Sequence, residues 1–309
     1  MNILGKRYLY FAISLIIIIP GLVILGVKAA QNNLPLSIDF TGGSMLEVSI
    51  EGAATPQPAD IHQLVAEMGT KDVKVQSTES GDFLIRSSFI DETTRDQIIS
   101  AMQEEFGAAI TILRFDSVGP SIGKQVTSNA TIAVGVAALA ILLYITIAFR
   151  RVQHAFRYGL CAIIAMIHDV AIVFSLVAIG SLLLGWEMDA LFLTALLTVI
   201  GFSVQDKIVV FDRIRENTNL LRRLKFETLV NHSIVQTLQR SINTQLMTVE
   251  FLLFALALFG GVTLREFAVI LLVGLLSGTY SSIFIASPIL VVWENKEWRT
   301  WFRRKPQAV

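Results

Sequence analysis

Cysteine and charged residues are both scarce in this chain, and their scarcity excludes several kinds of protein. Cys161 is the single cysteine among 309 residues, so no internal disulfide and no cysteine-based metal site can form. Only 16% of the residues are charged, and 25 basic side chains balance 25 acidic ones. An ordinary soluble domain is excluded as well, because 53% of the residues are hydrophobic and the mean hydropathy is +0.63. This composition is typical of a protein that crosses a membrane several times.

Long apolar runs account for most of that hydropathy. A membrane-spanning helix needs about 20 mostly apolar residues, and backbone groups in lipid must be satisfied within the segment. Six runs meet this requirement, at about 9–29, 129–149, 158–180, 190–211, 244–261 and 267–292. The first run is longer than the apolar part of a cleaved signal peptide, so we expect residues 1–29 to remain as an N-terminal segment and first span. The last five runs then form the segment 126–293.

Basic residues cluster on alternate sides of these runs, which predicts the orientation. They precede the first run, occupy the loops 150–157 and 212–243, and fill the tail 294–309. With six spans, all of these segments lie on one side. We therefore expect both termini, both loops and the tail to be cytoplasmic.

Residues 30–125 differ in character from the rest and are expected outside the membrane. They carry 14 acidic and six basic residues, a balance that argues against a nucleic-acid partner. Their pattern predicts strands at 45–50, 72–76, 82–87 and 110–115, with helices at 58–68 and from 91 onward. This order, strand–helix–strand–strand–helix–strand, is typical of a ferredoxin-like α+β domain. The pattern shows no catalytic constellation in this domain.

Glycine-rich motifs flank this domain where it joins the first two spans. Glycine permits positive φ and proline fixes φ, so such motifs make shaped connectors that could act as hinges, although ordinary turns explain them equally well. The residues concerned are Asp39, Phe40, Thr41, Gly42 and Gly43 before the domain, and Gly119, Pro120 and Gly123 after it.

Ionisable residues inside the predicted spans are the strongest functional signal. A charge at bilayer depth costs about 2.5–3.5 kcal/mol on insertion scales, so it usually faces a partner or a water-filled path. The candidates for proton coupling are His168, Asp169, Asp206, Lys207, Asn243 and Glu250. Lys207 could alternatively extend to the nearby cytoplasmic surface. Polar pairs that only lock helices together are the competing interpretation.

The last span carries small residues at four-residue intervals. Gly274, Gly278, Ser282 and Ala286 would share one face of a helix. Such a stripe allows close approach of two helices. We interpret it as a helix-packing face.

Together, the motifs resemble the SecF branch of the SecD/SecF family of protein translocase subunits. They follow the family order along nearly the whole chain. The matching segments are Asp39–Gly43, Val118–Pro120 with Gly123, His168–Val170, Gly201–Asn217, Arg240–Asn243, Gly260–Gly261 and Gly278–Pro288.

The resemblance implies a fold, partners and a role. The fold would be six transmembrane helices, half of an RND-type transporter, with the α+β domain inserted on the extracytoplasmic side. The partners would be SecD, the SecYEG channel, SecA indirectly, and preproteins, in a bacterial inner membrane. The implied role is to use the proton-motive force in late preprotein translocation, with no cofactor and no hydrolytic reaction. Asp206 matches the family's proton-coupling carboxylate.

The sequence departs from the family pattern around that carboxylate. The usual Asn-Asp-Thr is Gln205-Asp206-Lys207 here, and the arginine that usually follows Ser-Ile-Asn is Thr244. Glu250 adds a carboxylate where the family is commonly apolar. We therefore hypothesise that Lys207 supplies the positive charge missing at position 244.

Three other functions compete with this interpretation. A structural subunit would stabilise SecD and the channel without coupling protons. A proton-driven RND-type exporter of small molecules would share the fold, although its outer domain would be larger. An intramembrane aspartyl protease would need Asp169 and Asp206 within hydrogen-bond reach, and neither lies in the motifs of that class.

Overall fold

The computed structural model describes residues 2–51, 56–78, 81–150, 155–245, 251–260 and 262–297. Two compact units are present. One contains residues Leu36–Ile132, and the other contains the chain before Leu36 together with the chain from Ala133 onward. The first unit mixes helices with a sheet, whereas the second is helical. An inserted α+β domain in a helical membrane protein, the predicted fold class, is confirmed.

The α+β unit has the predicted order of elements. A short helix α2 (Ile38–Thr41) precedes them. The elements that follow are β1 (Gly43–Glu51), α3 (Pro58–Glu67), β2 (Lys74–Ser77), β3 (Phe83–Ser87), α4 (Glu92–Phe106) and β4 (Ala109–Val118). The four strands form one antiparallel sheet in the order β2-β3-β1-β4. This is the ferredoxin-like arrangement, in which β1 and β4 are neighbours.

Local sequence explains why the two helices of this unit begin where they do. Pro58 occupies the start of α3, where its missing N–H costs nothing. Asp91 precedes α4, and its carboxylate accepts the backbone N–H of Thr94 at 2.8 Å. Each helix turns an apolar face to the sheet, so that Ile61 and Met102 are fully buried. The unit therefore has a hydrophobic core of its own.

The helical unit is built mainly from long helices. Their bounds are α1 (Arg7–Ala30), α5 (Pro120–Ala148), α6 (Ala155–Leu183), α7 (Ala190–Leu220), α8 (Phe226–Gln245), α9 (Phe251–Phe259), α10 (Val262–Ser281) and α11 (Ser287–Glu294). A 3-10 turn (Leu4–Lys6) precedes α1, and a π-helical segment (Ser282–Ala286) joins α10 to α11. Helix α5 begins inside the α+β unit.

Five helical stretches among the described residues are long and apolar enough to cross a membrane. They are Leu4–Ala30, Pro120–Ala148, Phe156–Leu183, Ala190–Leu220 and Leu264–Glu294. The predicted span 244–261 is only partly described, because residues 246–250 and 261 lie outside the described ranges. Its remainder is the end of α8 and the apolar α9. A sixth span stays a prediction.

The predicted loop 212–243 is mostly helical, which corrects the sequence interpretation. Helix α7 continues nine residues past the predicted end of its span to Leu220, and α8 begins at Phe226. Polar residues alternate here with buried apolar ones, so that Phe211 and Ile214 on α7 contact the core that also holds Val230 and Ile234 of α8. An amphipathic helix pair explains the low hydropathy of this region as well as a loop does.

The first residues of the chain are attached to α8 and to the end of α11. Asn231 accepts the backbone N–H of Ile3 at 2.8 Å. Arg7 forms ion pairs with Glu227 at 2.7 Å and with Glu297 at 2.8 Å. These contacts join the first and last helices at the end of the bundle that carries the amino terminus.

Candidate functional site

Asp169, near the middle of α6, is a buried carboxylate with five hydrogen-bond partners. Its side chain is only 1% exposed. Oδ1 contacts His168 Nδ1 at 3.0 Å and accepts from Ser277 Oγ at 2.8 Å. Oδ2 accepts from Ser203 Oγ at 2.5 Å, Ser281 Oγ at 2.7 Å and Lys207 Nζ at 2.8 Å. Helices α6, α7 and α10 thus converge on one carboxyl group.

Lys207 supplies the positive charge at this carboxylate. Its side chain is fully buried, and Nζ contacts Asp169 Oδ2, the carbonyl oxygen of Ser203 at 3.2 Å and the Ser203 hydroxyl. Ser203 and Lys207 are four residues apart, so they share a face of α7. The alternative that Lys207 extends to the membrane surface is wrong, because its ammonium group is buried against the carboxylate of Asp169.

Asp206 directly precedes Lys207 on α7, but its side chain lies in different surroundings. Consecutive helical residues point about 100° apart, so Asp206 turns away from Asp169. It is half-buried, and its two oxygens accept from Ser241 Oγ at 2.7 Å and from Ser282 Oγ at 2.6 Å. Helix α8 and the π-helical segment therefore hold this second carboxylate.

A cavity of about 250 Å³ adjoins Asp206. Residues of α7 and α8 line it. They are Phe202, Gln205, Asp206, Val209, Arg240, Ser241, Thr244 and Gln245. Thr244, at the position of the family's usual arginine, thus lines the same cavity as Asp206. The hypothesis that Lys207 supplies the positive charge missing at position 244 is wrong, because Lys207 binds Asp169 and does not line this cavity. Exposed Arg240 brings a cation to the same cavity wall.

Neighbouring serines on one helix connect the two carboxylates. Ser281 donates to Asp169, and Ser282 donates to Asp206. Ser282 also begins the π-helical segment, whose wider turn leaves its carbonyl oxygen to accept from Ser287 Oγ at 3.0 Å. Such segments are rare and frequently occur at functional sites. A change in the hydrogen bonds of one carboxylate can therefore affect the other through two adjacent residues.

The small residues of α10 let it approach α7 closely. A Cβ added at Gly278 would lie 3.2 Å from Ser203 Cα, and one at Gly274 would collide with Val199. Ala286 is fully buried at the end of the stripe. This close approach brings Ser277 and Ser281 within reach of Asp169. Ser282, which the sequence suggests only for packing, also binds Asp206.

The remaining candidates lie at the edge of this constellation or outside the described residues. The ring of His168 stacks on that of Tyr280, with centroids 6.2 Å apart. Its Nε2 is buried and has no hydrogen-bond partner within the described ranges. Asn243 is exposed on α8. Glu250 falls among residues 246–250, which are outside the described part of the chain.

The two glycine motifs meet each other inside the α+β unit. Gly42 and Gly43 have positive φ, and a Cβ added at Gly42 would lie 2.8 Å from Pro120 Cα. A Cβ at Gly123 would lie 2.6 Å from the backbone nitrogen of Gly42. These glycines are required for close backbone approach, while a hinge function stays a prediction.

Sequence reasoning missed the serines that hold the two carboxylates. All five are buried, and only Ser282 had been singled out, as a packing residue; the others are Ser203, Ser241, Ser277 and Ser281. Their spacing carried a signal, since Ser277 and Ser281 are four residues apart, as are Ser203 and Lys207. Polar residues at helical spacing in an apolar span indicate a polar partner on the facing helix.

Comparisons with known sequences give a consistent result. Residues 98–296 match the family described as protein export membrane protein SecD/SecF, C-terminal. The chain is 63% identical to protein translocase subunit SecF of Anaerolinea thermophila over 98% of this chain and 97% of that one. It is 45% identical to the SecF subunit of Thermobaculum terrenum over 100% and 99% of the two chains.

Solved structures of SecDF are similar to this chain as well. The crystal structure of SecDF, a translocon-associated membrane protein from Thermus thermophilus, superposes with a TM-score of 0.77 at 35% identity. A second SecDF crystal structure, in a form called super-membrane-facing, gives 0.66 at 34% identity. The match covers 96% of this chain and 39% of the first SecDF chain, so this chain spans well under half of that longer protein.

Proposed function

From the premise that this chain belongs to the SecD/SecF family of protein export membrane proteins, we propose that it is the SecF-type subunit of a protein translocase. In this role it uses proton movement through the bundle to assist the late, extracytoplasmic steps of preprotein transport. Asp206 carries the proton. The α+β unit, placed outside the membrane with both termini in the cytoplasm, meets the exported chain.

The surroundings of Asp206 are the observation that supports this proposal. The carboxylate lies in an apolar span, is half-buried, and borders a cavity of about 250 Å³. A proton carrier in a membrane needs an environment in which both its charged and neutral forms can exist. Two serine hydroxyls donate hydrogen bonds to it.

Protonation of Asp206 would change the contacts of two helices at once. An ionised carboxylate only accepts hydrogen bonds, whereas a protonated one also donates. The bonds from Ser241 on α8 and Ser282 in the π-helical segment would therefore have to rearrange. Each proton that crosses 100 mV contributes about 2.3 kcal/mol, which is enough to bias such a rearrangement.

A SecD-type subunit would supply the other half of the transporter. This chain covers 39% of the SecDF chain that it resembles. Large apolar side chains on α9 are exposed, among them Phe251 at 67% and Phe254 at 53%. Lipid or a partner helix would cover such a surface in a membrane. Contact with the SecYEG channel, and indirectly with SecA, follows from the same proposal.

Export of a signal-peptide-bearing reporter tests the proposal. Cells depleted of their own subunit would receive the wild-type chain, Asp206→Asn or Asp212→Asn, with the SecD-type partner at matched membrane levels. Asp212 is a suitable control because it lies on the same helix, 53% exposed in an ion pair with Arg215. We expect Asp206→Asn to lose export at least tenfold, and Asp212→Asn to export as wild type does.

Other outcomes would favour the competing functions. If Asp206→Asn exports as well as wild type, the chain acts as a structural subunit and Asp206 does not drive transport. If even the wild-type chain fails to restore export while drug resistance changes, an exporter of small molecules on this fold becomes the better explanation.

A further inference from the structure

The buried pair of Asp169 and Lys207 raises a question that membership of the family does not answer. Asp169 and Asp206 both lie in the helical bundle, and within the described residues a lysine binds Asp169. We propose that Lys207 keeps Asp169 permanently ionised, so that Asp206 is the only one of the two that gains and loses a proton. This inference rests on the proposed function for the role of Asp206, but the state of Asp169 can be measured separately.

Charge balance is the first argument. A buried carboxylate with no cation takes up a proton, because the cost of an isolated charge in an apolar interior is too high. At Asp169 the ammonium of Lys207 is 2.8 Å away and fully buried. Each of the two buried charges is therefore the counter-charge of the other.

The hydrogen bonds around Asp169 are the second argument. An ionised carboxylate is an acceptor with about four lone-pair sites. Here Ser203, Ser277 and Ser281 supply hydroxyl donors in addition to the lysine. Ser281 also donates to the carbonyl oxygen of Gly278 at 3.1 Å, and the hydroxyls of Ser203 and Ser277 donate to Asp169. The arrangement matches the acceptor-only form of the group.

Access to protons is the third argument. Asp169 is 1% exposed and Lys207 is fully buried, whereas Asp206 borders the cavity on the far side of α7. A proton has to reach the group that titrates. Asp206 has open space beside it, whereas the side chain of Asp169 is almost completely enclosed.

Other charged or titratable groups near Asp169 do not change this assignment. On α6 itself, His168 contacts Oδ1, and if it is protonated it adds a second cation beside the same carboxylate. On α10, Tyr280 stacks on that imidazole, and its hydroxyl donates a hydrogen bond to the carbonyl oxygen of Tyr10 on α1. On α11, Glu294 is occupied by Arg157 at the start of α6, about three turns away.

Infrared spectroscopy of protonated carboxyl groups tests the proposal directly. The full chain would be purified with its SecD-type partner, reconstituted in lipid, and measured at neutral pH. Three forms are compared: wild type, Lys207→Met, and Lys207→Met combined with Asp169→Asn. Methionine keeps much of the length of the lysine side chain and removes its charge.

We expect Lys207→Met to gain one carboxylic acid per chain, and the double variant to return to the wild-type signal. A double variant with less signal than wild type would show that Asp169 is already protonated, and would overturn the proposal. The absence of any gain in Lys207→Met would overturn it as well. If Lys207→Met does not accumulate but the double variant does, the pairing is supported, because the unpaired carboxylate is then the cause of the failure.

The proposed function is read from a different sample. Asp206→Asn, measured in the same way across a pH series, should lack a carboxylic acid signal that wild type gains as the pH is lowered. If the variant gains as much signal as wild type does, Asp206 does not carry the proton and the proposed function fails. The comparison of wild type, Lys207→Met and the double variant would still test whether Asp169 is ionised in that case.

Discussion

Asp169 and Asp206 are the same residue type in the same apolar bundle, yet their surroundings differ in every respect that matters for a proton. Asp169 is fully buried, bound to a lysine and surrounded by three serines. Asp206 is half-buried, bound by two serines and open to a cavity. Helix α7 lies between the two environments, since its Ser203 and Lys207 contact Asp169 while its Asp206 contacts Ser241 and Ser282.

The comparison teaches that a carboxylate inside a membrane does not by itself identify a proton path. A paired and saturated carboxylate, such as Asp169, organises the helices around it. A carboxylate with few partners and open space, such as Asp206, can change its state. The burial and the partners of the group decide its role.

Stability should separate the two carboxylates most strongly. Asp169→Ala leaves the ammonium of Lys207 buried without a counter-charge, which should cost about 3–5 kcal/mol in the free energy of unfolding. Asp206→Ala removes two hydrogen bonds beside a cavity and should change it by only about 1 kcal/mol. Unfolding of both purified variants in the same detergent measures the difference. Equal losses would erase the distinction between a structural and a titrating carboxylate.

Alanine substitutions at the neighbouring serines sharpen the comparison. Ser281→Ala removes a donor from the permanent charge and should cost about 1–3 kcal/mol of stability. Ser282→Ala removes a hydrogen-bond donor from Asp206 and should change the pH profile of export, because Asp206 is the proposed proton carrier. Export measured across a pH series, with unfolding measured in parallel, tests both effects. A shift of the profile in Ser281→Ala but not in Ser282→Ala would reverse the assignment.

Acid should act on the ion pair at the bundle end, and its effect is the smallest. Burial raises the pKa of Glu297. Hydrogen bonds from Asn295 and Tyr8 and the charge of Arg7 lower the pKa by more than burial raises it, so the pKa is below that of an ordinary glutamate. The pair therefore stabilises the fold above the ordinary glutamate pKa, about 4.3, and this stabilisation is lost as the pH falls through the lowered value.

Substitution of Glu297 measures that effect. At neutral pH, Glu297→Gln should lower stability by about 1 kcal/mol or less, and the difference from wild type should vanish in acid. Glu216→Gln is the matched control, because Glu216 forms an exposed pair with Arg213 within one helix. A difference that persists unchanged at low pH would show that Glu297 acts through packing and not through charge.

Much of the fold could be predicted from the sequence, because local patterns determine it. Alternation of apolar residues located the strands, and helical spacing located the two helices whose buried faces carry Ile61 and Met102. The amphipathic pair formed by the end of α7 and by α8 was missed. Its buried residues, such as Phe211 and Val230, are separated by polar ones, and a hydropathy average does not distinguish this from a loop.

The site was predictable only in part, since the sequence gives a residue's type and not its neighbour. Charges at bilayer depth identified Asp169, Asp206 and Lys207 as candidates. The choice of partner depends on the rotation and contact of whole helices, so the pairing of Lys207 with Asp169 could not be read from spacing. The role of the serines could not be predicted for the same reason, because each serine binds a carboxylate on a different helix.

The contact between the two glycine motifs has a consequence for how such proteins diversify. Gly43 pairs with Val118 across β1 and β4, and Gly123 packs on Gly42, so the chain enters and leaves the α+β unit at neighbouring points. Because these two points are adjacent, the segment between them can change in length without a change in the length of the helices that follow. The unit is therefore a replaceable insertion. Its size and its surface can be exchanged in evolution, or by grafting in the laboratory, while the helices that hold Asp169 and Asp206 keep their sequence.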